Sequence, residues 1–269
     1  YRPAEFEVLL RAQKQQFVFG EAFSADIVGR YLFGGAMSGQ KVKWYLRLNP
    51  TSFEPPGHRG YVFGNQLEWW EEGEETPASR LIASADTLLD GSGQIKIQAP
   101  LVAEKETGSV LATLEATVQG PSRRSVSNRI QAVVHRGEFY LGLKPSTTFL
   151  RSGDPLKVAV MAALPDGKLT PAKVTLKFIK REWHSVRKAG VGGGFRWVSE
   201  RADKEIAQQT VRTKSEPVEV TWTPDKAGFY ILAAESADGR KNPISTSTYL
   251  YVTGKDYVAW ERSDTDIID

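Results

Sequence analysis

Cysteine is missing from all 269 residues. Without thiols there is no disulfide, no Cys-based metal or redox motif and no thiol nucleophile. An excess of one charge is missing too. Thirty-five Lys and Arg stand against 32 Asp and Glu, a formal charge of +3, which argues against a dedicated nucleic-acid binder. No apolar run approaches the ~18 residues of a membrane span. The three histidines, His58, His135 and His184, lack the short spacing of a helical zinc motif. Helical periodicity is scarce as well: residues 26–33 and 202–213 can be read as helix or strand, and neither carries a cap and a stop together. The first residue is Tyr1 rather than Met, and no signal peptide is present. We therefore expect a piece of a longer protein whose targeting information lies outside it.

What the chain has is a repeat. Glu5-Phe6-Glu7-Val8-Leu9-Leu10 returns as Glu138-Phe139-Tyr140-Leu141-Gly142-Leu143, and Asp256-Tyr257-Val258-Ala259-Trp260 starts a third copy. Spacings of about 130 and about 120 residues are domain-sized. The copies agree beyond their first line. Residues 27–33 answer 157–164 and residues 41–46 answer 173–178, each pair separated by a Gly or Asp-Gly turn, the chemistry of a hairpin. Residues 94–100 answer 218–224, 114–117 answer 232–235, and 130–134 answer 248–252. Period-two alternation dominates in both copies. The expectation is all-β: two tandem antiparallel sandwiches of about seven strands each, immunoglobulin-like in layout. We place the domains at 1–136 and 137–254, with 255–269 as linker or the start of the next.

The copies differ most after their second matched strand. The first inserts residues 49–79, with Pro55-Pro56-Gly57 and the acidic run Glu68-Trp69-Trp70-Glu71-Glu72-Gly73-Glu74-Glu75. The second inserts residues 181–201, with Trp183, His184, Arg187, Lys188, Gly192-Gly193-Gly194, Phe195, Arg196 and Trp197. Aromatics beside charge suit an interface. They equally suit an extended hairpin whose Trp residues cover a sandwich edge while the charges face water, the reading we favour.

No active site emerges. Residues 34–41, Gly-Gly-Ala-Met-Ser-Gly-Gln-Lys, resemble a phosphate loop, but Gln40 intervenes and a strand follows where the loop needs a helix N-terminus. A hairpin turn fits better. Ser38 and Lys41 match a Ser-x-x-Lys pair without its helix or partner motifs. The carboxylates at 71–75 lack the order of a calcium loop, and nothing selects one acid–base pair. No catalytic, cofactor-binding or metal-ligating residue is singled out, and no cofactor is implied.

Taken together, residues 1–8, 30–35 and 41–44 in the first copy, and 137–143, 180–183 and 252–260 in the second, resemble the alpha-2-macroglobulins, bacterial members especially. The resemblance covers essentially the whole chain and rests on strand and linker patterns. It implies the third and fourth macroglobulin-like domains of a large protease trap, in which a cleaved bait segment triggers enclosure of the protease and a Cys-Gly-Glu-Gln thioester often tethers it. With no cysteine and no recognisable bait, the chain would be framework: non-catalytic, partnered by neighbouring domains and, in the whole protein, by target proteases. It implies a periplasmic or cell-surface location, with membrane attachment only through an anchor outside these residues. An adhesive or carbohydrate-binding sandwich array using the Trp-bearing insertions is the alternative, and an enzyme accessory region a weaker one.

Overall fold

Alternating apolar residues build the first layer. In the computed structural model, which describes residues 5–66, 79–189 and 195–254, Phe6, Val8 and Leu10 of β1 (Phe6–Ala12) are buried on one side. Strand β1 pairs antiparallel with β3 (Ala22–Tyr31), and β3 with β7 (Gln94–Pro100). The opposing five-stranded sheet runs β2 (Gln16–Val18), β9 (Ser125–His135), β8 (Val110–Gln119), β4 (Lys41–Pro50) and β6 (Arg80–Leu88). Between the sheets lie Phe17, Phe19, Phe23, Ile27, Leu46, Leu114 and Val118, all almost completely buried. At ~25 cal/mol per Å² of apolar area, each large side chain contributes roughly 1.5–3 kcal/mol.

The second unit repeats this plan strand for strand. Its sheets contain β10 (Tyr140–Pro145), β12 (Leu156–Ala163) and β15 (Val218–Trp222) on one side. On the other are β11 (Phe149–Arg151), β17 (Pro243–Thr253), β16 (Gly228–Ala237), β13 (Lys173–Ala189) and β14 (Phe195–Arg212). Every strand-level match read from the sequence falls on equivalent strands. Leu46 pairs with Leu114 as Phe178 pairs with Leu232, and the register slips directly after Leu46 and directly after Phe178. A bulge at the same position in both copies is what duplication leaves. Both ambiguous stretches, 26–33 and 202–213, are essentially strand, and the described residues contain no helix. One feature departs from a purely antiparallel plan: β2–β9 and β11–β17 are parallel. In each unit the chain's opening line crosses from one sheet to the other and so runs alongside the last strand in the same direction.

The division into units is not a single cut. Among the described residues the first comprises 5–53, 79–138 and 238–242; the second comprises 54–66, 139–189, 195–237 and 243–254. Within the second, β5 (Val62–Phe63) pairs antiparallel with β10, so its smaller sheet reads β15-β12-β10-β5. The equivalent edge of the first unit, β1, carries no such strand among the described residues.

The two cores are filled from different strands. In the second, Phe178 stacks on Trp222 with ring centroids 4.4 Å apart, and Tyr230 meets Trp222 at 5.3 Å. The Tyr230 hydroxyl donates to the Lys226 carbonyl at 2.7 Å. Burial pushes that phenol up to about 12. By register, the first unit has Leu46, Ala99 and Ala112 at these three places, and Phe17 against Phe23 at 5.3 Å fills the space instead.

Candidate functional site

The sequence features weighed as chemistry resolve into structure. Residues 32–40 form the turn between β3 and β4, with Gly34, Gly35 and Gly39 at positive φ and Met37 buried. No helix follows, so nothing there offers a phosphate a helix N-terminus. The three histidines are in three separate places. His58 Nε2 sits 2.6 Å from the Gly167 carbonyl, His184 is exposed on β13, and His135 is buried in the first unit beside Gln16 and edge-on to Phe53. Burial holds the His135 imidazole down at about 4, so it is neutral near pH 7. Among the described residues no three His, Asp or Glu side chains gather as a metal site.

The second insertion is the far half of the β13–β14 hairpin, paired continuously from Arg181↔Asp203 to Ala189↔Phe195. Arg181, itself buried, makes a two-pronged contact with Asp203 at 2.7 and 2.8 Å. Trp183 is buried against Phe229 at 5.3 Å. The acidic part of the first insertion, residues 68–75, lies outside the described residues. A surface groove of about 580 Å³ on the first unit is lined by Lys41, Lys43, Asp86, Leu88, Thr87, Thr117 and Ser125 among others. Lys43 and Asp86 pair across it at 3.7 Å. The lining holds a cation paired with its counter-ion and no histidine, which is not the arrangement of a nucleophile and its base.

A set of specific polar contacts lies at the seam between β10 and β17 of the second unit, where residues 61–66 are seated. Gly142 and Leu143 pair with Phe63 and Val62. The Gln66 amide donates to the Ser247 carbonyl, and the Ser247 amide donates to the Gly64 carbonyl, both at 3.2 Å. The Thr246 hydroxyl donates to the Leu141 carbonyl at 2.7 Å and accepts from the Gly64 amide at 3.1 Å. Asn65 reaches Ser245 at 3.1 Å, and the Thr248 hydroxyl donates to Gln66 Oε1 at 2.7 Å. Upstream, Lys144 Nζ lies 5.6 Å from the Tyr61 ring centre.

Two glycines make the fit. Gly64 has φ +75°, a conformation that L side chains avoid. At Gly142 a Cβ would stand 2.9 Å from Met161 Cε and 3.1 Å from Phe63 Cε1. None of Gly64, Gly142, Thr246 or Ser247 was picked out from the sequence. The available signal was in the repeat itself: Gly142 stands where the first copy has Leu9, and Thr246 where it has Asn128.

Residues 5–135 match the family described as Bacterial Alpha-2-macroglobulin MG5 domain. That description counts the domain as the fifth, where the resemblance had implied the third. Over its whole length the chain is 25% identical to an alpha-2-macroglobulin homolog of Nostoc sp., of which it spans 14%. It is similar in fold to Salmonella alpha-2-macroglobulin reacted with methylamine (TM-score 0.60, 17% identity, 93% of this chain and 17% of that one). It is equally similar to the native conformation of E. coli alpha-2-macroglobulin (TM-score 0.61, 15% identity, 96% of this chain and 17% of that one).

Proposed function

We propose that this chain belongs to the alpha-2-macroglobulin family, which the match over its first unit and the whole-length relative support, and that it is framework in a protease-trapping inhibitor and carries no catalysis of its own. The observation that supports this most is its construction. Two copies of one sandwich account for every described strand except β5, and β5 completes the second copy's sheet.

In this reading residues 1–136 and 137–254 are consecutive macroglobulin-like domains, with 54–66 built into the second and 255–269 leading onward. The second takes the place after MG5. Its partners are the neighbouring domains of the same polypeptide and, for the whole protein, target proteases. It binds neither cofactor nor nucleic acid. The whole protein resides in the periplasm or at the cell surface, attached to membrane only through an anchor elsewhere. Of the tryptophans on which the adhesive alternative rests, Trp183 is buried, and Trp69 and Trp70 lie outside the described residues.

The test uses the full-length protein titrated against several proteases. Trapping predicts that cleavage of protein substrates is lost while cleavage of small chromogenic substrates is retained. Equal retention of both, for every protease, contradicts it. The 269-residue chain alone is expected neither to inhibit nor to hydrolyse; measurable turnover of an ester or peptide contradicts the non-catalytic reading.

A further inference from the structure

We propose that the seam between β10 and β17 is a strand-acceptor groove for an extended peptide of the pattern Tyr-Val-Phe-Gly-Asn-Gln, filled in this chain by its own residues 61–66.

The grounds lie in how that segment is held. Main-chain pairing with Gly142, Leu143 and Ser247 gives affinity that any extended peptide could draw on. Selectivity comes from side chains. The missing Cβ of Gly142 leaves room for an aromatic ring at the third position. The Thr246 hydroxyl meets the fourth residue's amide, and the left-handed backbone there calls for glycine. Ser245 and Thr248 read the amide side chains at positions five and six.

The first unit shows what the same seam looks like without an acceptor. Asn128, at the position of Thr246, donates from Nδ2 to the Val8 carbonyl at 2.7 Å, the counterpart of the Thr246–Leu141 bond. Its Oδ1 accepts the Arg129 amide at 2.7 Å. Arg129 is the counterpart of Ser247, whose amide goes to Gly64 instead. Asn128 thus holds with one side chain both the edge carbonyl, which Thr246 also holds in the second unit, and the neighbouring amide, which there goes to the seated strand; Leu9 occupies the place kept clear by Gly142. Asparagine with leucine closes the seam; threonine with glycine opens it to a strand.

The experiment uses the 269-residue chain and a fluorescent synthetic peptide of residues 57–66, followed by anisotropy. Wild type is expected to bind no peptide, because the groove is occupied in cis. Phe63→Ser alters only the occupant; it should speed exchange of the Gln66 amide at least ~10-fold and allow saturable peptide binding. Gly64→Ala, whose added Cβ meets nothing within 4 Å and so acts through backbone strain alone, is the second route to the same opening. Adding Thr246→Asn to either variant should abolish binding. Saturable binding that needs Thr246 supports the proposal. A chain whose Gln66 amide is released but which binds no peptide overturns it, as does binding that survives Thr246→Asn, or exchange unchanged in both occupant variants.

Discussion

Leu9 and Gly142 hold the same place in two copies of one sandwich, as do Asn128 and Thr246, and the copies treat their first edge differently. Strand β1 keeps its outward carbonyl at Val8 covered by a side chain of its own unit. Strand β10 has its edge covered by residues 62–63, and the chain continues across to Ser247. An open strand edge invites pairing with other chains, and both solutions remove it. The contrast places the difference at two seam positions: Leu9 and Asn128 where the edge is closed, Gly142 and Thr246 where a further stretch of sequence is incorporated. The cores diverge as well: an aromatic trio in one, a phenylalanine pair from other strands in the other.

The largest expected effect breaks that second contrast. Phe178→Ala removes the ring stacked on Trp222 from a site that is 1% exposed and should cost about 3–5 kcal/mol. Chemical denaturation should show it in the transition reported by Trp222 fluorescence.

Acid separates the units next. His135 has its folded pKa lowered to about 4 from 6.5 by burial. Its contribution is therefore fully present above pH 6.5 and is lost as pH falls toward 4, by about 3 kcal/mol at most. The second copy has Thr253 at the corresponding place, which does not titrate. Acidification through this window should loosen the first unit before the second in residue-resolved hydrogen exchange, and His135→Gln should flatten the dependence.

Gly142→Leu puts the first unit's residue into the second unit's seam. Against Met161 and Phe63 it should cost about 1–3 kcal/mol by overpacking and displace residues 62–66, measured by thermal melting together with exchange at Gln66. The smallest effect is Tyr230→Phe, which deletes only the hydroxyl donated to Lys226 and should cost about 1 kcal/mol, read from the same denaturation curves.

Most of the sandwich was legible in the sequence because it is written in period-two alternation, twice. Where alternation ran long, as in residues 173–178 or 94–100, strand and partner followed directly. The match at 94–100 was good to one residue only: the structure sets Ile97, not Lys96, at the place of Val220. Strand β5 was not legible. Val62–Phe63 is too short to alternate, it is flanked by glycines that read as loop, and its partner Gly142 lies far along the chain. The insertion therefore looked like a hairpin of the first copy. Gly142 for Leu9 was visible in the repeat, but its meaning depends on Phe63 arriving from elsewhere.

Residues 62–66, strand β5 and the three residues after it, are an integral part of the second unit and not a surface loop. Native-state hydrogen exchange on the 269-residue chain tests this most directly. The Gln66 and Ser247 amides, bonded to the Ser247 and Gly64 carbonyls, should be protected to the same degree as amides in β12 and β15. Exchange of both at the rate of an unstructured peptide, with β12 and β15 still protected, would contradict it.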